Sequence, residues 1–217
     1  MKHSIHAVSL YVLIATAALG ADECRDPKLR DAILNMVDED QKARAGGPGH
    51  MLSEAEATEM RRVDAVHAKR VREIVDEVGW PGISLVGSDG AKGMWLLVQH
   101  FDLAEQDRYL PLMEKAVAQK EALPRHFAYL VDRVRIGHHQ KQLYGTQYRI
   151  VKEGEWVREP IEDPEHVDAR RKTMGLQPLL EYEKSLQDVR VVPNTQSGAN
   201  ERLPLPAEPA GAARRSP

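Results

Sequence analysis

From Ala7 to Gly20 the chain reads AVSLYVLIATAALG, apolar or small throughout and without a charge. Lys2 precedes this run, and Ala18-Leu19-Gly20 satisfies the small-x-small rule for cleavage before Ala21. The run falls short of the roughly 20 apolar residues that a bilayer span needs. It therefore predicts a signal peptide over residues 1–20, cut after Gly20, with an uncleaved anchor as the alternative. The mature chain is then expected to be periplasmic or secreted, with no stable membrane span.

After that run the apolar positions fall into helical rhythm. Asp26-Pro27 opens a first helix, with Leu29, Ile33, Met36 and Val37 as its apolar stripe, before Gly46-Gly47-Pro48-Gly49 breaks the chain. Ser53 and Glu56 have capping-box spacing and start a second helix running to about Val78. Its stripe is Met60, Val63, His67, Val71, Ile74 and Val78, closed by Gly79-Trp80-Pro81-Gly82. A short apolar run, Ile83 to Val86, precedes a third helix expected near Ser88 or Asp89. The centre of that helix, Met94 to Val98, is apolar nearly all round and so belongs in the core. Asp102 caps a fourth helix lined by Leu110, Met113 and Val117, in which Pro111 marks a kink or a restart. Pro124 opens a fifth helix with Phe127, Leu130, Val131 and Val134 on one face and Tyr129, Asp132 and Ile136 on the other, the pattern of a sandwiched element.

The rhythm then changes to alternation. Tyr148 to Lys152 and Glu155 to Glu159 flank Glu153-Gly154, which predicts a hairpin within 147–159. Asp163-Pro164 starts another helix that Gly175 stops, and Pro178 to about Gln187 is a last short one. From Pro193 the chain is rich in Pro, Ala and Gly. The expected organisation is a single folded domain over 21–190 and a disordered tail over 191–217. The fold class is mainly α (α-dominant α+β), a compact helical domain with one small β-hairpin.

Composition narrows the chemistry. Thirty Lys and Arg against 33 Asp and Glu leave a net charge of -3, with no basic stripe for a nucleic-acid partner. Hydrophobic residues at 42% suffice for a core, and aromatics at 5% make that core mostly aliphatic. Cys24 is the single cysteine; it can form no internal disulfide, and its place near the mature N-terminus suits an inert thiol. There is no nucleophile elbow, phosphate-cradling loop or dinucleotide fingerprint.

The residues left for chemistry are polar groups within apolar stretches. Asp64 lies one helical turn before His67 and could accept its Nδ1–H, leaving Nε2 as a base; a core histidine satisfied by a structural partner remains the alternative. Gln99 and His100 close the most apolar helix and need partners there. His100 is read as a second base or a helix-end imidazole. Asp132-Arg133 is read as an acid/base with an anion-holding arginine, or as an ordinary ion pair. Gln142, Tyr144 and Thr146 would point to one side of an extended segment around Gly145, with Gln147 beside them, as a substrate-binding strip or as a turn entering the hairpin. His67, His100 and Asp132 could supply three metal ligands, but no His-x-x-x-His pair at ligand spacing supports that, so the cofactor stays open and no metal residues are assigned.

Gly79-Trp80-Pro81, Trp95 through Gln99-His100, Asp132-Arg133 and Gln142-Leu143-Tyr144-Gly145-Thr146-Gln147 occur in an order that resembles a bacterial family catalogued as domain of unknown function 6624. Val167 to Leu176 resembles that family's C-terminal segment, so the likeness runs roughly from Ala32 to Leu186. The resemblance supplies no reaction; it implies that these polar residues belong to one site. Three functional readings follow. One is an exported enzyme of hydrolase or lyase type working by acid/base chemistry on a polar small molecule or peptide. His67, Asp64, His100 and Asp132 would be its catalytic set, and Gln99, Arg133, Gln142, Tyr144, Thr146 and Gln147 would bind the substrate. The second is a non-catalytic extracytoplasmic ligand-binding or protein-interaction module. The third is a structural envelope protein in which every polar residue serves the fold.

Overall fold

Local capping chemistry sets where the helices begin. In the computed structural model, the Asp26 side chain accepts a hydrogen bond from the Leu29 N–H at 2.9 Å and Pro27 takes the first position of α1 (Pro27–Ala43). Ser53 and Glu56 form a reciprocal capping box at the head of α2 (Glu54–Val78), which ends at Gly79 with φ 76°. α3 (Ile83–His100) starts earlier than its pattern suggests. Ile83 to Val86 form one helical turn, and Gly87 (φ 75°, ψ 169°) kinks the chain before the main helix begins. The apolar run was thus a helical turn, which periodicity over so few residues cannot distinguish from a strand. Asp102 caps α4 (Leu103–Ala118), which passes through Pro111 in one piece, and Pro124 opens α5 (Pro124–Gly137).

The structure describes residues 24–44, 53–152, 155–186 and 190–192. The expected signal peptide, the glycine-rich break after α1, the tip of the hairpin and the tail beyond Val192 lie outside them. Among the described residues no helix is long and apolar enough to cross a membrane.

α1 through α5 share one core. Ile33, Val71, Ile74, Val86, Met94, Leu97, Val98, Tyr109, Met113 and Leu130 are all essentially inaccessible to solvent. Each aliphatic side chain buried in this way contributes about 1.5–3 kcal/mol, which explains why Met94 to Val98 tolerate no charge. α5 is sandwiched: Leu130 and Val134 enter this core, while Asp132 reaches the loop that follows the helix.

β1 (Tyr148–Lys152) pairs antiparallel with β2 (Glu155–Arg158), Tyr148 opposite Arg158 and Ile150 opposite Trp156. The predicted hairpin is there. A third strand, β3 (Arg190–Val192), which the alternation did not indicate, lies parallel to β2 and completes the order β1-β2-β3. Its three residues are too few to show a period. The helix expected from Asp163-Pro164 begins as a 3-10 turn over Pro164–His166 and becomes α6 (Val167–Thr173); α7 (Leu179–Ser185) follows. Ile161, Val167, Leu179 and Tyr182 form a second, smaller core under these short elements.

Candidate functional site

Two polar clusters emerge from residues that sequence alone would place in one. The first forms where the C-terminal ends of α1 and α3 meet α2. Asp40 and Arg44 lie one turn apart on α1, a spacing that favours an ion pair, and Arg44 Nη1 is 2.5 Å from Asp40 Oδ1. The other arm of the guanidinium, Nη2, donates to Asp64 Oδ1 on α2 at 2.6 Å. Asp40 in turn receives the imidazole of His100: Nδ1 is 2.9 Å from Oδ1 and 3.0 Å from Oδ2. Gln41 Nε2 adds a fourth contact to the same carboxylate at 2.8 Å. The result is a chain of groups, His100–Asp40–Arg44–Asp64, drawn from three helices. The carboxylate of Asp40 and the ring of His100 are almost wholly enclosed, at 1% and 5% side-chain exposure.

The electrostatics follow from that burial. Burial pushes His100 below the ordinary histidine value, and the nearby Arg44 and Arg133 guanidiniums push the same way; together they outweigh the lift from Asp40. Burial pushes Asp40 up, but the contacts with His100, Arg44 and Gln41 outweigh it and hold the carboxyl below its usual range. Asp64 goes the other way, raised by burial against the pull of Arg44. A neutral imidazole with Nδ1–H donated to an ionised carboxylate presents Nε2 with its lone pair, so the pair has the form of an oriented base.

His67 is placed differently from the sequence expectation. It is buried in the apolar stripe of α2, as its spacing implied, but Asp64 does not orient it. Asp64 is taken by Arg44, whose permanently charged guanidinium donates to it at 2.6 Å. The partner of His67 is Glu39 on α1, whose Oε2 lies 3.1 Å from Nε2, while Nδ1 is enclosed with no partner among the described residues. The nitrogen expected to be the base is therefore engaged.

Gln99 and Arg133 do meet. The Arg133 Nε–H donates to Gln99 Oε1 at 2.9 Å across the α3–α5 seam. One turn earlier on α3, Trp95 stacks on His126 with ring centroids 4.2 Å apart and planes 7° apart, and meets the edge of Tyr129.

The second cluster is the loop 142–147 and its supports. Asp132 is fully buried, and its oxygens accept from the backbone N–H groups of Leu143 (2.7 Å), Tyr144 (3.0 Å) and Thr146 (3.0 Å) and from the Thr146 hydroxyl (2.9 Å). Burial pushes this carboxyl upward against those donors. Gln142 closes the loop on itself: its Nε2 donates to the carbonyls of Gln147 and Glu159, and its Oε1 accepts from the Gln147 N–H at 2.8 Å. Gln147 Nε2 donates to Thr146 Oγ1 at 3.0 Å. The alternating residues 142, 144 and 146 were expected to present a polar strip. The Gln142 and Thr146 side chains turn inward instead, because each finds its hydrogen-bond partners in the loop and in α5, and Tyr144 is buried with them. Asp132 is taken up by the same loop, which leaves its oxygens no open place as an acid/base.

Arg170 and Arg171 brace the loop from α6. Arg170 Nε donates to the Leu143 carbonyl at 2.8 Å, and Arg171 Nη1 to that of Tyr144 at 2.6 Å, with the Arg171 guanidinium 5.1 Å from the Tyr182 ring centre. Gly145 sits between them at φ 69°; a Cβ there would come within 2.9 Å of both Ile161 and Leu179.

Sequence reasoning missed Asp40, Arg44 and Glu39. The one available signal was Asp40 and Arg44 at ion-pair spacing near the end of α1; their partners lie on other helices. Among the described residues no group of three or more His, Cys, Asp or Glu side chains is placed to hold a metal ion, so His67, His100 and Asp132 do not form the ligand set considered above.

A family model described as a family of unknown function (DUF6624) matches residues 27–192. No curated protein and no solved structure matches the chain.

Proposed function

The chain belongs to the family of unknown function DUF6624, whose description names no reaction, and from the side chains themselves we propose that it is an extracytoplasmic enzyme of hydrolase or lyase type. His100 is its general base, Asp40 fixes the tautomer and orientation of that base, and Arg44 keeps Asp40 ionised while tying it to Asp64. The substrate is a polar small molecule or peptide that approaches Nε2 of His100 from the side of Gln99 and Arg133. The observation that carries this reading is the two-oxygen grip of Asp40 on His100 Nδ1, at 2.9 and 3.0 Å, inside a nearly dry site. Such a carboxylate–imidazole pair keeps one nitrogen as donor and the other as acceptor, and a general base of this kind contributes about 10²–10⁴-fold to a rate. His67 has a packing role in this scheme, and Asp132 with Gln142, Thr146 and Gln147 stiffens the loop beside α5.

The test is a turnover screen of the purified mature chain on chromogenic esters, peptide anilides and β-elimination substrates. Activity should fall about 10²–10⁴-fold in His100→Ala and Asp40→Asn while the circular-dichroism spectrum stays unchanged. Activity untouched by either substitution defeats the proposal. Mass spectrometry of the chain recovered from outside the cytoplasm should find Ala21 at its N-terminus. The shielding of the His100 ring favours a second reading, a ligand-binding module without chemistry. That reading expects ligand-dependent stabilisation and no turnover on any substrate of the screen.

A further inference from the structure

We infer that the seam between α3 and α5 binds a carboxylate of the ligand, with the indole N–H of Trp95 and the amide N–H groups of Gln99 as its donors. Both donors are enclosed by the folded chain and have no acceptor among the described residues, on residues 3% and 0% exposed. A buried donor left unpaired costs about 1–3 kcal/mol, and native interiors pair nearly all of theirs. Two such donors on one face of α3, both against α5, therefore point to a partner that arrives from outside.

The two are neighbours by construction. Positions 95 and 99 are one helical turn apart and share a face, and both side chains meet α5, Trp95 through His126 and Tyr129 and Gln99 through Arg133. The Arg133 contact also settles which end of the Gln99 amide is free. An arginine N–H can only donate, so the end it touches at 2.9 Å is the oxygen and the other end is NH2. That leaves an amide NH2 and an indole N–H, donors only, beside a guanidinium. An acceptor oxygen is required, and the adjacent cation favours a charged one. A carboxylate has the lone pairs to take several N–H groups at once. Arg133, which touches Gln99 and whose charge also reaches His100, would set the rest of the ligand toward that imidazole. Only the claim that this ligand is the substrate rests on the reading of His100 as the base; carboxylate binding does not.

The full chain has three tryptophans, so its amide-correlation NMR spectrum offers three indole N–H signals, assignable by single Phe substitutions. Sodium acetate, titrated at constant ionic strength against sodium chloride, should move the Trp95 signal in a saturable way. It should leave that of Trp156, whose indole N–H is also enclosed with no partner among the described residues, in place. Gln99→Leu should weaken the apparent affinity at least about tenfold, the loss expected of one hydrogen bond to a charged group. Gln99→Glu, which keeps the shape, should abolish the response should the leucine variant fold poorly. His100→Ala should leave the response intact. No saturable shift, an equal shift at Trp156, or an equal response to neutral acetamide would overturn the inference, the first being the result if an ordered water fills the seam. An intact acetate response in a protein without turnover would sink the catalytic reading and spare this one.

Discussion

Asp132 and Arg171 hold the same loop by opposite polarities: the carboxylate takes its N–H groups, at Leu143, Tyr144 and Thr146, and the guanidinium takes its carbonyls, at Tyr144 and Gly145. A loop of this kind would otherwise bury backbone groups with no ladder to pair them. The two charges do in the interior what a sheet does elsewhere. Both are enclosed, at 0% and 1% exposure, so removing either leaves the other side's groups stranded.

Asp132→Ala should therefore cost about 3–5 kcal/mol, read as a lowered urea midpoint. Asp132→Asn keeps the shape but loses the charge and should cost about 2 kcal/mol. Arg171→Lys should be nearly as damaging as Arg171→Met, since one ammonium cannot reach the carbonyls of both Gln177 and Tyr144 that the guanidinium spans. A lysine variant as stable as the parent would show that the bracing is dispensable.

Glycine substitutions separate backbone strain from crowding. Gly79 and Gly145 both adopt positive φ, 76° and 69°, but a Cβ on Gly79 would meet nothing within 4 Å. Gly79→Ala should cost about 1–3 kcal/mol from the backbone alone, since φ 76° with ψ −161° is a region that L residues hardly enter. Gly145→Ala adds clashes with Ile161 and Leu179 to a positive φ and should cost about 1 kcal/mol more. Equal losses in thermal melts would place no tight packing around Gly145.

His100 gives the protein a pH signature. Its folded value lies below the ordinary 6.5, so in the window beneath 6.5 the unfolded chain binds more protons than the native one. Stability is then complete above that window and is lost as pH falls through it. Asp40, also lowered, adds a second loss at more acidic pH, below its ordinary 3.8. Chemical denaturation from pH 8 to pH 4 should show the first decline, and His100→Asn should flatten it. A parent and variant with parallel profiles would mean that His100 titrates normally.

His67 and His100 should respond in opposite ways. His67 lies in an apolar stripe, and among the described residues its Nδ1 has no partner while Nε2 meets the mostly exposed Glu39, so a leucine there replaces a poorly satisfied ring by an apolar one. His67→Leu should change stability by less than about 1 kcal/mol, in either direction, and should leave turnover unchanged, whereas His100→Ala should lower it about 10²–10⁴-fold. Loss of turnover in His67→Leu with the fold intact would return the base to α2.

Arg44 joins two carboxylates that would otherwise face each other. Arg44→Met should cost about 3–5 kcal/mol, the penalty of uncovering a buried charge. Adding Asp64→Asn should restore part of that, and the double-mutant cycle should report a coupling above about 0.5 kcal/mol. Additive losses would mean that the Arg44–Asp64 contact carries no energy.

What could be read from the chain and what could not divide along sequence distance. The cap at Asp26, the box at Ser53 and Glu56, the stop at Gly79 and the hairpin from Tyr148 each depend on residues a few positions apart, whose backbone bonds are local. The placing of His67 in an apolar stripe was legible for the same reason. Its partner was not, since Glu39 is 28 positions away, and local spacing suggested Asp64 instead. Pairing within a helix is only one option for a carboxylate, and an arginine from a neighbouring helix wins whenever packing delivers it.

By itself, then, the sequence determined the helices, most of their ends, the small hairpin and the burial of His67 and Gln99, because periodicity and capping are settled by nearest neighbours. Only the tertiary structure decided that Asp40 would find His100 across 60 positions and that Asp132 would be used up by a loop. Buried charges pair with whatever the packing of apolar faces brings within about 3 Å, and that packing is a property of the whole core.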